Sequence, residues 1–251
     1  MRDRLLIAAV ALGAGALVLG LILFLLGEDP LAAFGALGRG AFGSWYAISS
    51  ATLVRATPLI VLGLGFSIAL RAGALNIGME GQFLAGAVAA TWAGLLVSGL
   101  SAMVAIPVVL AAAIAAGTIW VSLPVLLRWR FGVLEVITTL LLNFVAEALV
   151  SLMVQGPLQE AKRTYPQSDP IAAAAQLPLL PGTRLHLGFA LAILMAITLH
   201  VLFSRTLWGF RLKAVGLGPR AAWITGRIPS GRLLAVALLL SGAFAGLGGG
   251  F

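Results

Sequence analysis

The chain of 251 residues contains no cysteine. That excludes disulfides, thiolate zinc sites and cysteine nucleophiles. Charge is scarce as well: Asp, Glu, Lys and Arg make up 10% of the residues, against about 25% in a soluble globular domain. There are only two lysines, Lys162 and Lys213, and they follow Ala161 and Leu212. A phosphate-binding P-loop needs a Gly-Lys pair, so this chain does not grip ATP in that way. His186 and His200 stand too far apart for an HExxH zinc motif, and no G-x-S-x-G occurs. "GLGPRA" (216–221) fits the loose dinucleotide fingerprint. It follows a membrane helix rather than a strand, and Pro219 follows its second glycine, so the strand–turn–helix context is missing. A membrane enzyme is disfavoured because no acidic pair or histidine cluster collects on one side. No catalytic residue, metal site or cofactor is expected.

What the chain has instead is hydrocarbon. Hydrophobic residues make up 61%, and the mean hydropathy is +1.09. A soluble protein of this length lacks the interior to bury so much apolar surface. The expected fold is all-α, a polytopic transmembrane bundle forming one domain over 1–251. Leu5–Leu26 is uninterrupted apolar sequence. As a helix it is about 33 Å long, enough to cross a bilayer and longer than a secretory h-region. Residues 27–46 read as a loop. Further spans are expected near 50–70, 82–98, 102–127, 133–155 and 185–203, with another beginning near 233, about seven in all. Residues 156–184 are polar, carry five prolines, and form a long loop. Residues 204–232 hold six basic residues and no acid.

The net charge of +8 could suggest nucleic acid, but its distribution follows the membrane. With the N terminus in the cytoplasm, alternating spans put eleven basic residues inside and four outside, with Arg55 within a span. The positive-inside rule favours this orientation, and no nucleic-acid partner is required. A basic cytoplasmic loop can also meet anionic lipid or a protein.

Two polar constellations interrupt the hydrocarbon. The first is "GALNIGMEGQFLAG" (73–86), with Asn76, Glu80 and Gln82 among four glycines. Two readings are open. It is a broken or tightly packed helix beside a polar pathway, where irregular backbone is tolerated. Or it is a cytoplasmic turn whose Asn and Glu cap the next helix. The second is a stripe at every fourth position: Glu135, Thr139, Asn143, Glu147, Ser151 and Gln155. Four residues turn a helix by about 400°, so the stripe drifts by about 40° per step and winds about half way round. Such a helix either lines a pathway or hydrogen-bonds its neighbours. His200 and Arg55 read as structural.

At this point the residues resemble a known family. "LVRATPLIVLGLGFSIALRAGALNIGMEGQFLAGA" (53–87), "LEVITTLLLNFVA" (134–146) and "LWGFRLKAVGLGPRAAWITGRIPSGRLLAVALLLSGAFAGLGGG" (207–250) are similar, in that order, to blocks of ABC-importer inner-membrane permeases. The branch is that of simple sugars and nucleosides, related to ribose and branched-chain amino-acid permeases. The resemblance implies a permease subunit of an ATP-driven importer in the bacterial inner membrane. Its implied partners are cytoplasmic ABC ATPase subunits, a second permease subunit, an extracytoplasmic substrate-binding protein and membrane lipid. Residues 209–226 are similar to the loop that docks on the ATPase, which implies roles for Gly209, Arg211, Ala214, Gly216, Pro219, Ala221 and Gly226; the alternative is a basic loop that only anchors topology. The substrate pathway is expected at Asn76, Glu80, Gln82, Thr139, Asn143 and Glu147, and the binding protein at 156–184. Family members run longer, with further spans after the third block. The competing class is a secondary transporter or ion channel working without ATP, in which Glu80 and Glu147 serve as proton or cation sites.

Overall fold

A computed structural model describes residues 2–251; the side chains of residues 2–5 and Thr225 fall outside the described set. Arg2 and Arg4, counted above toward the inside charge, are among these. The described chain is almost wholly helical, with one isolated antiparallel bridge between Leu179 and His186. It divides into two compact units, residues 1–53 with 182–184, and residues 54–181 with 185–251.

The first unit holds α1 (Arg2–Leu25) and α2 (Pro30–Phe42), followed by a π-helical turn at Ala47–Thr52. α1 is apolar on every side, and none of its described residues is buried. A helix of this kind is suited to lipid contact. α2 was expected as loop. Its start is nevertheless written in the sequence: Asp29 accepts hydrogen bonds from the amides of Leu31 (2.9 Å) and Ala32 (3.3 Å), and Pro30 occupies the first helical position.

The second unit contains α3 (Leu53–Arg71, reaching back to Leu53 of the first), α4 (Met79–Leu96), α5 (Ala102–Phe131), α6 (Glu135–Gln155), α7 (Gly188–Arg205), α8 (Leu207–Leu217), α9 (Pro219–Gly226) and α10 (Ser230–Gly249). Among the described residues, six segments are long and apolar enough to cross a membrane: Leu6–Leu25, Ala47–Arg71, Ala102–Phe131, Glu135–Gln155, Gly188–Arg205 and Ser230–Gly249. The remaining expected span, 82–98, is α4. It begins three residues earlier, and so takes Glu80 and Gln82 into its first turn. These two side chains lower its apolar character. The helix does not depend on lipid, because Met79, Gly81, Gln82, Ala85, Gly86, Ala90 and Gly94 are buried among its neighbours.

Small residues set that burial. α4, α5 and α10 meet backbone to backbone: Gly86 lies on Gly246, Gly117 on Gly242 and Gly246, and Gly249 on Phe83 and Ala87. A Cβ at any of these would run into main-chain atoms of the neighbouring helix. In lipid, where helix association draws little from the hydrophobic effect, such close approach is the main source of packing energy. The pairs also fix direction. Gly242 and Gly246 of α10 and its C-cap Gly250 pair with Val121, Gly117 and Ala113 of α5, so these helices are antiparallel. Ser241 and Gly248 pair with Gly65 and Pro58 of α3, again antiparallel. α4 runs with α6, since Gly78 meets Thr139 and Gly81 meets Asn143. α3, α4, α5 and α6 therefore alternate in direction, as successive crossings require.

Residues 160–169 of the long loop are organised by Glu160. Its carboxylate accepts from Gln167 Nε2 (2.8 Å) and from the amides of Tyr165 (2.9 Å) and Thr164 (3.2 Å). The Gln167 and Tyr165 hydrogen bonds hold this carboxyl below its ordinary range.

Candidate functional site: a buried amide cluster and an exposed carboxylate

α3 ends in a Schellman motif. Gly73 (φ +83°) takes the left-handed position, its amide donating to Leu70 O and that of Ala74 to Ala69 O, both at 3.0 Å. The next residues cross to α4 in extended form. Asn76 stands in this break, buried, and pairs head to head with Gln82. Asn76 Nδ2 donates to Gln82 Oε1 (2.9 Å), and Gln82 Nε2 donates to Asn76 Oδ1 (3.0 Å). Asn76 Nδ2 also donates to Ser241 Oγ of α10 (2.9 Å), and Asn76 Oδ1 accepts from the Gly78 amide (3.1 Å).

Asn143 of α6 holds the other side of the break. Its Oδ1 accepts from the Gly81 amide (2.9 Å) and its Nδ2 donates to Ile77 O (3.1 Å). Thr139, fully buried, bonds within its own helix to Val136 O (3.2 Å) and packs directly on Gly78. Four of the six expected pathway residues, Asn76, Gln82, Thr139 and Asn143, thus collect where α4 begins. The capping reading of 73–86 fails in its detail, since the N-cap of α4 is Gly78 and no side chain caps it; Asn76 instead braces the turn before α4 from inside the packed bundle. The cluster is neutral and its amides are satisfied by the protein, which is what a polar group needs to persist at membrane depth.

The other two expected residues stand apart. Glu80 lies in the first turn of α4 and Glu147 in the middle of α6, and both are exposed. The stripe on α6 explains the difference. Glu135, Thr139 and Asn143 are buried, whereas Glu147, Ser151 and Gln155 are exposed, as the drift of about 40° per step requires. Glu135 forms an ion pair with Arg128 at the end of α5. Arg55 is exposed. No group of three or more His, Cys, Asp or Glu side chains able to hold a metal occurs among the described residues. Two contributors were missed in the sequence. Ser241 was visible only as a hydroxyl in an apolar helix. Trp120, whose indole nitrogen is buried without a hydrogen-bond partner and lies by Gly81, gave no signal beyond being aromatic.

The 204–232 region contains two short helices, α8 and α9, separated by Gly218. Thr206 caps α8 by accepting from the Gly209 amide (3.2 Å), and Gly209 packs on the backbone of Leu202 and Phe203. Leu212, Val215 and Ala222 face inward. Gly216 presses on the Arg71 carbonyl and Gly73, so its lack of a side chain serves the α3–α8 crossing. Ala214 is partly buried; Gly226 ends α9 against Ile228. Arg211, Pro219 and Ala221 are exposed, as are Phe210 (64%), Trp223 (58%) and Ile224 (70%).

The fold and these sites define a polytopic helical membrane protein with a polar joint inside the bundle. Comparison with known proteins gives the family. Residues 48–251 match the family described as branched-chain amino acid transport system / permease component, and the chain belongs to it. It is 39% identical to the glucose ABC transporter permease protein TsgB13 of Haloferax volcanii, over 97% of this chain and 64% of that protein. It is 33% identical to the guanosine ABC transporter permease protein NupP of Bacillus subtilis (98% and 71%) and 32% identical to the nucleoside ABC transporter permease protein NupB of Lactococcus lactis (98% and 70%). The chain thus spans about two thirds of the length of these curated relatives. No solved structure matches it.

Proposed function

We propose that the chain is the permease subunit of an ATP-driven importer and carries a small polar solute, a nucleoside or simple sugar. The observation that carries this reading is Glu147. It lies twelve residues into α6, about 18 Å along the helix axis, and is exposed on the surface of the chain. An ionisable side chain at that depth costs about 2.5–3.5 kcal/mol on insertion scales unless it faces water or protein. This unit does not shelter it. A second permease subunit across a hydrated pathway would, with Glu80 at the pathway's cytoplasmic end. Asn76, Gln82, Thr139 and Asn143 then hold the α4 start rigid behind the pathway wall. In this reading the N terminus is cytoplasmic, in a bacterial inner membrane, and residues 156–184 meet the substrate-binding protein outside.

ATP hydrolysis belongs to separate ATPase subunits, which dock on 204–232. The family names of the relatives support that division, and the exposed apolar face of α8 and α9 gives it a surface. Gly216 cannot test docking, because a bulky residue there would strike the Arg71 carbonyl and damage the fold. Ile224 points away from the bundle. Ile224→Asp is expected to release the ATPase on purification while the chain stays inserted. Undiminished co-purification with undiminished uptake would remove α9 from the interface.

A second reading rests on the same exposed carboxyl. In a secondary transporter Glu147 would be the proton or cation site, so the energy source for uptake separates the two.

A further inference from the structure

The groove between α3 and α7 has no place in the proposed solute pathway, and only its α8 end reaches the 204–232 segment. It is a cavity of about 470 Å³, lined by Leu64, Ser67, Arg71, Ala196, His200 and Phe203 among others. α3 and α7 run parallel here, and Arg71, the last residue of α3, sets its guanidinium 4.4 Å above the Phe203 ring. A second cavity of about 330 Å³ continues past Arg71 to Lys213, Gly216 and Leu217 of α8. Leu70 and Arg71 line both. The combined site is apolar along the helices and cationic at the membrane edge.

We propose that this groove holds an anionic phospholipid, with its phosphate between Arg71 and Lys213 and an acyl chain along Leu64, Leu199 and Phe203. Three observations carry the assignment. The cationic end has no internal counter-ion: no acidic residue lines either cavity, and the ion pair found among the described residues joins Arg128 to Glu135 instead. Arg71 Nε is buried with no hydrogen-bond partner. And the exposed face of α7 is aliphatic, with Leu194, Ile197 and Val201 exposed, which suits contact with acyl chains. Basic pockets between spanning helices at a membrane edge suit lipid phosphates. Phe203 keeps the Arg71 side chain in place while leaving N–H groups free to donate. The assignment rests on the chain's spanning a membrane, and is independent of the solute and of the energy source.

Full-length protein in non-ionic detergent, titrated with mixed micelles containing phosphatidylglycerol or phosphatidylcholine and read by native mass spectrometry, tests it. One tightly retained phosphatidylglycerol per chain is expected, with phosphatidylcholine bound far more weakly. Lys213→Gln should weaken phosphatidylglycerol binding about fivefold, the effect of one basic residue near a phosphate surface, and Arg71→Gln should act in the same direction. Ala196→Phe, which fills the apolar part and leaves the charges alone, should weaken it too. If Arg71→Gln fails to fold, the other two variants decide. Equal retention of both lipids, or wild-type binding by both Lys213→Gln and Ala196→Phe, would overturn the proposal. So would full displacement of the lipid by millimolar inorganic phosphate, which would make this a site for the free anion.

Discussion

Asn143 and Glu147 stand one turn apart on α6 and occupy opposite surroundings. Asn143 pairs two backbone groups of another segment, the buried Gly81 amide and the carbonyl of the partly exposed Ile77. Asn143→Leu leaves the buried Gly81 amide unpaired, at a cost of about 1–3 kcal/mol. A clearly lowered unfolding temperature in detergent is the expected result, with residual transport per folded molecule retained. Glu147 makes no such contact. Glu147→Leu is expected to leave thermal stability unchanged and to reduce uptake severalfold. If Glu147 instead faced lipid, the same change would relieve an insertion cost of about 2.5–3.5 kcal/mol and raise stability without touching uptake. Measuring both quantities on both variants separates a packing role from a pathway role, residue by residue.

At the scale of elements, the apolar runs of α1, α5, α6 and α7 were legible because each helix must be long and apolar to cross hydrocarbon. α2 was passed over, although Asp29 and Pro30 mark its start, because its short length and Glu28 made 27–46 look like a connector. α4 shows why hydropathy alone is insufficient: a helix packed among others can bury Gln82 and leave Glu80 exposed in its first turn. The same limit applies to the site. Asn76, Gln82 and Asn143 could be singled out as polar residues in apolar sequence. Their long-range pairings could not, since Asn76 and Ser241 are 165 residues apart in the chain and Asn143 and Gly81 are 62 apart. The glycines divide in the same way. Gly246 lies against Ala113 and Gly117, while Gly38 of α2 has nothing nearby that a Cβ would meet. Gly246→Leu is expected to cost about 3 kcal/mol or more by overpacking, seen as loss of a monodisperse species on size exclusion. Gly38→Leu should behave as wild type.

At the scale of the molecule, the parts fall into a division of labour. Close glycine contacts join α4, α5 and α10, the amide cluster holds the break before α4, and Glu147 is exposed on α6. The paired helices α8 and α9 offer an exposed apolar surface, and the chain has no P-loop lysine with which to use ATP itself. The central claim is that solute movement through this permease is driven by ATP hydrolysed on a partner. The direct measurement is concentrative uptake of radiolabelled guanosine and of glucose by cells carrying the complete system, before and after replacement of the phosphate-binding lysine in the partner ATPase. Loss of uptake of the transported solute, with the proton gradient intact, is the predicted result. Uptake that survives this replacement and collapses when a protonophore is added would contradict the account.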